Sequence, residues 1–181
     1  LTCYVVSLGT LGESVEKLET PLGPMVAAID GRGRLHALGF GGIEPRETAP
    51  LATKQVREAC TFLARQLGAY FDGKLQTFTV PLAPEGTHFQ MRVWEELRHI
   101  PFGRTISYQE LAQRVGEPKA SRAVGQANGA NPIPILIPCH RVIGANGALV
   151  GYGGGMARKE ALLRLEGVMQ PVEPPHRLFE G

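Results

Sequence analysis

Cys139, His140 and Arg141 stand together at the end of the run Asn131-Pro-Ile-Pro-Ile-Leu-Ile-Pro138. A solid apolar segment fenced by prolines is expected to be buried, and this one ends by presenting a thiol, an imidazole and a guanidinium. A buried cysteine commonly serves packing. It becomes a nucleophile only where a neighbouring cation lowers its pKa or a base takes its proton. His140 is the candidate base. Side chains of adjacent extended residues point to opposite faces, so a turn or a water relay has to connect it to Cys139. A third member follows from a different stretch. Met156 to Glu166 reads as a helix ended by Gly167, which puts Glu166 in the last turn, where the macrodipole disfavours an anion. Pairing with a histidine would offset that cost. The expectation is a Glu166–His140–water–Cys139 relay in which the carboxylate fixes the imidazole tautomer and the imidazole acts as base. The spacing alone also permits Glu166 to sit on a solvated helix end.

The elements around these residues read as follows. Thr87 and Gln90 form a capping-box pair opening a helix with Phe89, Val93, Trp94 and Leu97 on its apolar face, stopped by Pro101-Phe-Gly. Ser107-Tyr-Gln-Glu110 is a second capping box, opening a short helix that buries Leu111 and Val115. Gly116 is placed as its C-terminal cap, and Pro118 suits the first position of another helix, about Lys119 to Asn128. Two helices so tightly joined match a helix-turn-helix, or else a plain structural hairpin. In the second helix Val124 and Ala127 can face the core, while Ser121, Arg122, Gly125 and Gly129 form a nearly bare opposite face. Interior glycine costs roughly 1 kcal/mol against alanine, so such a face implies close approach of something flat. A narrow minor groove entered by Arg122 is one possibility, and a neighbouring helix is another.

The first half reads as a small α/β unit. Strands are expected at Val15 to Glu19, Pro24 to Asp30 and Arg34 to Phe40, with turn-rich Thr20-Pro-Leu-Gly and Asp30-Gly-Arg-Gly between them, giving an antiparallel meander. A helix from about Leu51 to Phe71 carries Val56, Cys60, Leu63, Leu67 and Tyr70 on one stripe, so Cys60 reads as a packing residue. The boundaries expected are 1–80 for this domain, 81–87 for a linker, 88–170 for the second domain and 171–181 for a tail. Three cysteines in 181 residues, Cys3, Cys60 and Cys139, are too few and scattered for a disulfide framework or zinc cluster. Residues 1–84 carry 8 basic and 8 acidic side chains and residues 85–170 carry 10 and 7, a basic surplus compatible with a polyanion partner. With no stretch approaching ~20 apolar residues and no signal-peptide pattern at the start, a cytoplasmic location is expected for a prokaryotic protein, and a nuclear one for a eukaryotic protein.

Pro138-Cys139-His140-Arg141-Val142 resembles the acceptor motif of the O6-alkylguanine-DNA alkyltransferases (methylated-DNA–protein-cysteine methyltransferases). It lies in the matching context of Ser107-Tyr108-Gln109, Ser121-Arg122-Ala123-Val124-Gly125, Asn131-Pro132 and Gly151-Tyr152, across roughly residues 86–168. The first half matches only loosely, through Thr20-Pro-Leu-Gly-Pro and the long helix. The resemblance implies an α/β N-terminal domain of ribonuclease-H-like topology and a mainly α, winged helix-turn-helix C-terminal domain. It implies single-turnover transfer of an alkyl group from O6-alkylguanine, and from O4-methylthymine, in double-stranded DNA to Cys139 of a monomeric protein, with no cofactor. It also implies roles. Cys139 is the acceptor, activated by His140 and Glu166, and Asn131 braces the active-site backbone. Arg122 enters the base stack through the minor groove as the damaged nucleotide flips out, with Ser121 and Gly125 on the same DNA-facing surface. Tyr108 crowds the neighbouring phosphate and donates to guanine N3. Val142, Tyr152, Gly153 and Pro134 line the pocket. Relatives with a structural zinc use N-terminal Cys and His ligands. Here Cys3 and His36 are present but Ile29 and Asp30 stand where the second cysteine would be, so no metal is expected. Asn128 and Gly129 would leave the groove-facing helix end less bulky than in some relatives.

Three other readings fit less well. A silent lesion-binding module would lack the thiol, a methylation-sensing regulator would carry another DNA-binding domain, and a cysteine hydrolase would need an oxyanion hole.

Overall fold

The computed structural model describes residues 3–7, 14–41 and 53–169. The tail expected at 171–181 lies outside them, as do Leu51 and the zinc-ligand position Cys3 as regards its side chain. The first domain is a four-stranded antiparallel meander, β1 (Cys3–Ser7), β2 (Ser14–Thr20), β3 (Gly23–Ile29) and β4 (Leu35–Phe40), in sheet order 1-2-3-4. The three expected strands are all present. β1 is an additional one that the alternation in Cys3-Tyr-Val-Val was too short to reveal. The helix α1 (Lys54–Phe71) lies on the sheet, and its stripe of Val56, Cys60, Leu63, Leu67 and Tyr70 is fully buried as the spacing requires. Cys60 corrects the reading in one respect: it is disulfide-bonded and no longer a free thiol used for packing alone.

A sheet edge needs a partner for its unpaired peptide groups. β4 finds two in the chain that follows. Leu35 donates to Pro81 O at 2.9 Å and accepts from Ala83 N at 2.8 Å, while Leu38 N donates to Pro132 O at 2.8 Å. The stretch expected to be a linker is therefore packed onto the sheet. Gln66 reinforces it, bonding both the amide and the hydroxyl of Thr79.

The second domain is helical: α2 (His88–Arg98), α3 (Tyr108–Arg114), α4 (Ser121–Gly129) and α5 (Met156–Leu165), with two short strands, β5 (Ile106–Ser107) and β6 (Val142–Ile143), paired in parallel. The Thr87/Gln90 capping box forms in full. The second box forms by half: Ser107 Oγ accepts from Glu110 N, but the Glu110 carboxylate reaches Arg114 instead. Gly116, at φ +79°, takes the left-handed conformation that ends α3. Pro118 does not open α4. It sits inside a turn closed by Ala120 N donating to Glu117 O at 2.8 Å, and the helix begins three residues later at Ser121 with no side-chain cap. Trp94 of α2 fixes α4 by donating from Nε1 to Ala127 O at 2.8 Å. No described helix is long and apolar enough to cross a membrane.

Candidate active site

The apolar run delivers Cys139 through a loop rather than a strand. Ile135 is held at φ +75°, a conformation a β-branched residue avoids. Asn131 holds the loop closed from inside, donating from Nδ2 to Ile137 O at 2.7 Å and accepting from Ile133 N at 3.0 Å. Its amide also reaches the Cys139 thiol. The loop ends in a single 3-10 turn, Cys139–Arg141, which replaces the extended geometry and puts three consecutive side chains in the interior. β6 then locks the turn beside the start of α3.

Glu166 is the hub of the site. As the C-terminal cap of α5 it is buried, and its carboxylate accepts from His140 Nε2 at 2.9 Å, from Arg141 Nε and Nη2 at 2.9 Å each, and from Tyr70 Oη at 2.7 Å. Burial alone would raise its pKa, but the bonds from His140 and Arg141 outweigh that and hold it near 2. Because Nε2 donates to a carboxylate, the neutral ring keeps its lone pair on Nδ1, which bonds no described residue. Burial pushes the His140 pKa down despite Glu166. The Cys139 thiol is pushed up to about 11 by burial, opposed by Asn131 and by the charge of Lys159. At neutral pH both groups are therefore uncharged. The thiol needs its proton removed during the reaction rather than before it.

Beside Cys139 opens a cavity of about 230 Å³. Pro134, Tyr152 and Gly153 line it, as expected. Gly154 is needed there for a steric reason: a Cβ would come within 2.7 Å of both Phe40 and Tyr152. The Tyr152 hydroxyl is buried with no protein partner among the described residues. Val142 was expected to act through its backbone, and it does not stand among the side chains around this cavity. Its side chain is in the core and its carbonyl accepts from Lys159 Nζ at 2.6 Å. Tyr108, half-buried, donates to Val150 O at 3.1 Å, and its ring lies 3.7 Å from where a Cβ on Gly125 would stand. On α4, Arg122 is exposed and ion-paired with no described residue, and Gly125, half-buried, lies next to the Tyr108 ring. Asn128 is also corrected: it points inward, donating to Cys139 O at 3.4 Å.

Five contributors were missed in the sequence. Arg141 was noticed only as part of a motif, yet it holds Glu166 from two directions and donates to Ile100 O at 2.6 Å. Lys159 is fully buried and gives its three donors to the carbonyls of Val142, Val150 and Gly151, fixing the pocket loop. Burial brings its pKa down to about 8. Its spacing to Leu162, Leu163 and Glu166, at +3, +4 and +7, was the available signal for an inward-facing lysine. Leu38, Gly39 and Phe40 of β4 form one cavity wall, and Tyr70 reaches Glu166; both arrive from the other domain, and nothing local marks them. Arg158 joins the domains above the pocket, donating to Leu22 O and Gly154 O with its guanidinium 4.6 Å from the Phe40 ring centroid. His36 pairs with Asp30 and Glu85, and no group of three or more metal-ligating side chains converges among the described residues.

Comparison with known proteins agrees with this arrangement over both domains. The family described as "6-O-methylguanine DNA methyltransferase, DNA binding domain" matches residues 88–168, and its "ribonuclease-like domain" matches residues 15–84. A methylated-DNA–protein-cysteine methyltransferase of Methanosarcina acetivorans is 50% identical over 149 residues, spanning 82% of this chain and 95% of that protein. One from Shigella flexneri is 44% identical over 85% of this chain and 95% of its own length. A crystal structure of Mycobacterium tuberculosis OGT in complex with DNA superimposes with a TM-score of 0.73 at 48% identity, covering 83% of this chain and 90% of that one. The chain belongs to the 6-O-methylguanine DNA methyltransferase family.

Proposed function

We propose that this protein repairs alkylated DNA by moving the alkyl group from O6 of guanine onto Cys139, once per molecule. The observation that carries the reading is a buried thiol opening onto a cavity, next to a histidine whose tautomer a buried carboxylate fixes. His140 accepts the thiol proton at Nδ1 through a bridging water, and Glu166 supports the imidazolium that forms. Sγ attacks the alkyl carbon, the carbon–O6 bond breaks, and its electron pair moves onto the guanine. Tyr108 exchanges its bond to Val150 O for one to guanine N3 and supports that charge, and the guanine leaves with the proton the thiol gave up. The thioether is stable, so the protein is consumed.

O6 is out of reach of a thiolate inside a stacked duplex, which calls for an extrahelical base. In this reading α3 and α4 act as a helix-turn-helix of a winged domain, with α4 laid along the minor groove, Ser121 near the backbone and Arg122 filling the space of the flipped nucleotide. The sheet and α1 form the ribonuclease-H-like domain, and the protein works as a monomer on double-stranded DNA, taking O4-methylthymine as well. A titration tests the reading: a fixed amount of protein with rising amounts of O6-methylguanine duplex should remove one methyl group per molecule and stop. Continued removal with time would overturn it. Cys139→Ser should remove none while still binding the duplex.

A further inference from the structure

Tyr70 lies in α1, 96 residues before Glu166, and its hydroxyl donates to Glu166 Oε1 at 2.7 Å. That oxygen already accepts from His140 Nε2 and Arg141 Nη2 at 2.9 Å each, whereas Oε2 takes Arg141 Nε and a longer bond of 3.4 Å from Gly103 N. Three donors on an oxygen with two lone pairs must compete. The ring itself is fully buried against Phe71, Phe78 and Phe102, with centroids 5.4, 5.3 and 6.1 Å away. A phenylalanine would satisfy that packing equally well, so the hydroxyl needs another explanation, and its one partner is the carboxylate.

We infer that Tyr70 is a positioning residue of the alkyl-transfer site, through which the N-terminal domain sets how strongly Glu166 supports a positive charge on His140. The inference rests on His140 being the base. A neutral phenol bonded to Oε1 draws carboxylate charge away from Nε2 and so weakens the support for an imidazolium. The charged and titratable groups facing this pair are Arg141 from the turn, Lys159 from α5, Tyr70 from α1, and Tyr152 and Cys139 from the pocket. Glu166 is the one anion among them. Arg141 and Lys159 already oppose protonation of His140, so the carboxylate's share of charge directed at Nε2 decides the ring's basicity. Tyr70 keeps His140 a weak base at rest and the thiol protonated, and it holds Oε1 in the line of the imidazole.

The test uses full-length protein labelled with nitrogen-15 histidine, in the wild type and in Tyr70→Phe. The His140 ring shifts follow protonation, and iodoacetamide probes Cys139 with no DNA present. In Tyr70→Phe the titration of His140 should move upward by roughly half to one pH unit, a threefold to tenfold larger protonated fraction at mildly acid pH. Alkylation of Cys139 at neutral pH should accelerate by a similar factor, because the imidazolium–thiolate pair is better supported. Phe78→Leu loosens the same ring cluster without touching Glu166, and should lower the melting temperature with no shift in His140. A His140 titration in Tyr70→Phe that overlays the wild type would reduce Tyr70 to packing and overturn the inference. His140→Ala keeps the two readings apart: an unchanged Cys139 alkylation profile in that variant would overturn His140 as base, whatever Tyr70 does.

Discussion

The two domains meet at one thiol but contribute to it in different ways. The helical domain supplies the thiol, the imidazole and every charged group of the network, Cys139, His140, Arg141, Lys159 and Glu166, within 28 residues of chain. The sheet domain supplies a wall and a single hydroxyl: Leu38, Gly39 and Phe40 along the cavity, and Tyr70 beneath Glu166. One side does the chemistry while the other shapes and tunes it. The division predicts that changes to the network of the helical domain affect reactions of any substrate or the fold itself, whereas changes in the sheet domain alter thiol reactivity or selectivity by small factors.

The largest expected effect follows from removing the charge at the hub. Glu166→Gln leaves Arg141 buried without a counter-charge, which should cost about 3–5 kcal/mol in urea denaturation, and it should slow transfer to every substrate. A pH series sharpens this. Glu166 is lowered from the ordinary 4.5 to about 2 in the folded protein, so it contributes stability above pH 4.5 that is lost as pH falls towards 2. The loss is about 3 kcal/mol by linkage. It should be missing from Glu166→Gln. An equal acid sensitivity in both proteins would place the acid-labile groups elsewhere.

Arg122→Ala comes next and separates chemistry from DNA handling within the helical domain. It should slow repair of a methylated duplex by roughly ten- to a thousandfold, at ~1.4 kcal/mol per decade, and leave the reaction with O6-benzylguanine free base nearly unchanged. Both assays need the same low salt, because a lost cation also weakens phosphate contacts. Equal loss on both substrates would mean that Arg122 supports the protein and that α4 does not lie on the DNA.

The smallest effect belongs to the wall. Phe40→Ala removes a ring packed over Gly154 and under Arg158. The rate on O6-benzylguanine relative to the methylated base should rise by up to about tenfold, the scale on which a pocket discriminates a few carbons. An unchanged ratio would show that the sheet domain does not bound the alkyl group.

The same division governs what the sequence discloses. The Glu166–His140 pair was legible because its members follow local rules: His140 follows Cys139 in a proline-fenced run, and the helix pattern ending at Gly167 fixes where Glu166 stands. Caps at Thr87, Ser107 and Gly116 located α2 and α3 for the same reason. Pro118 misled because proline suits position i+1 of a turn as well as the start of a helix, and only the Glu117–Ala120 closure decides between them. Asn128, expected at the groove-facing end of α4, is buried instead, because a nine-residue helix offers little periodicity to orient its last turn. Tyr70 was rightly read as buried, but burial patterns report depth and not partners. Its bond to Glu166, like the wall of Phe40, exists only after the two domains have packed.

The most direct test of the account is a peptide map by mass spectrometry after incubating the protein with an excess of O6-methylguanine duplex. The account predicts one methyl group per molecule, on the peptide that contains Cys139, with the DNA left as unmodified guanine. Methyl on any other residue, or demethylated DNA with unmodified protein, would contradict it.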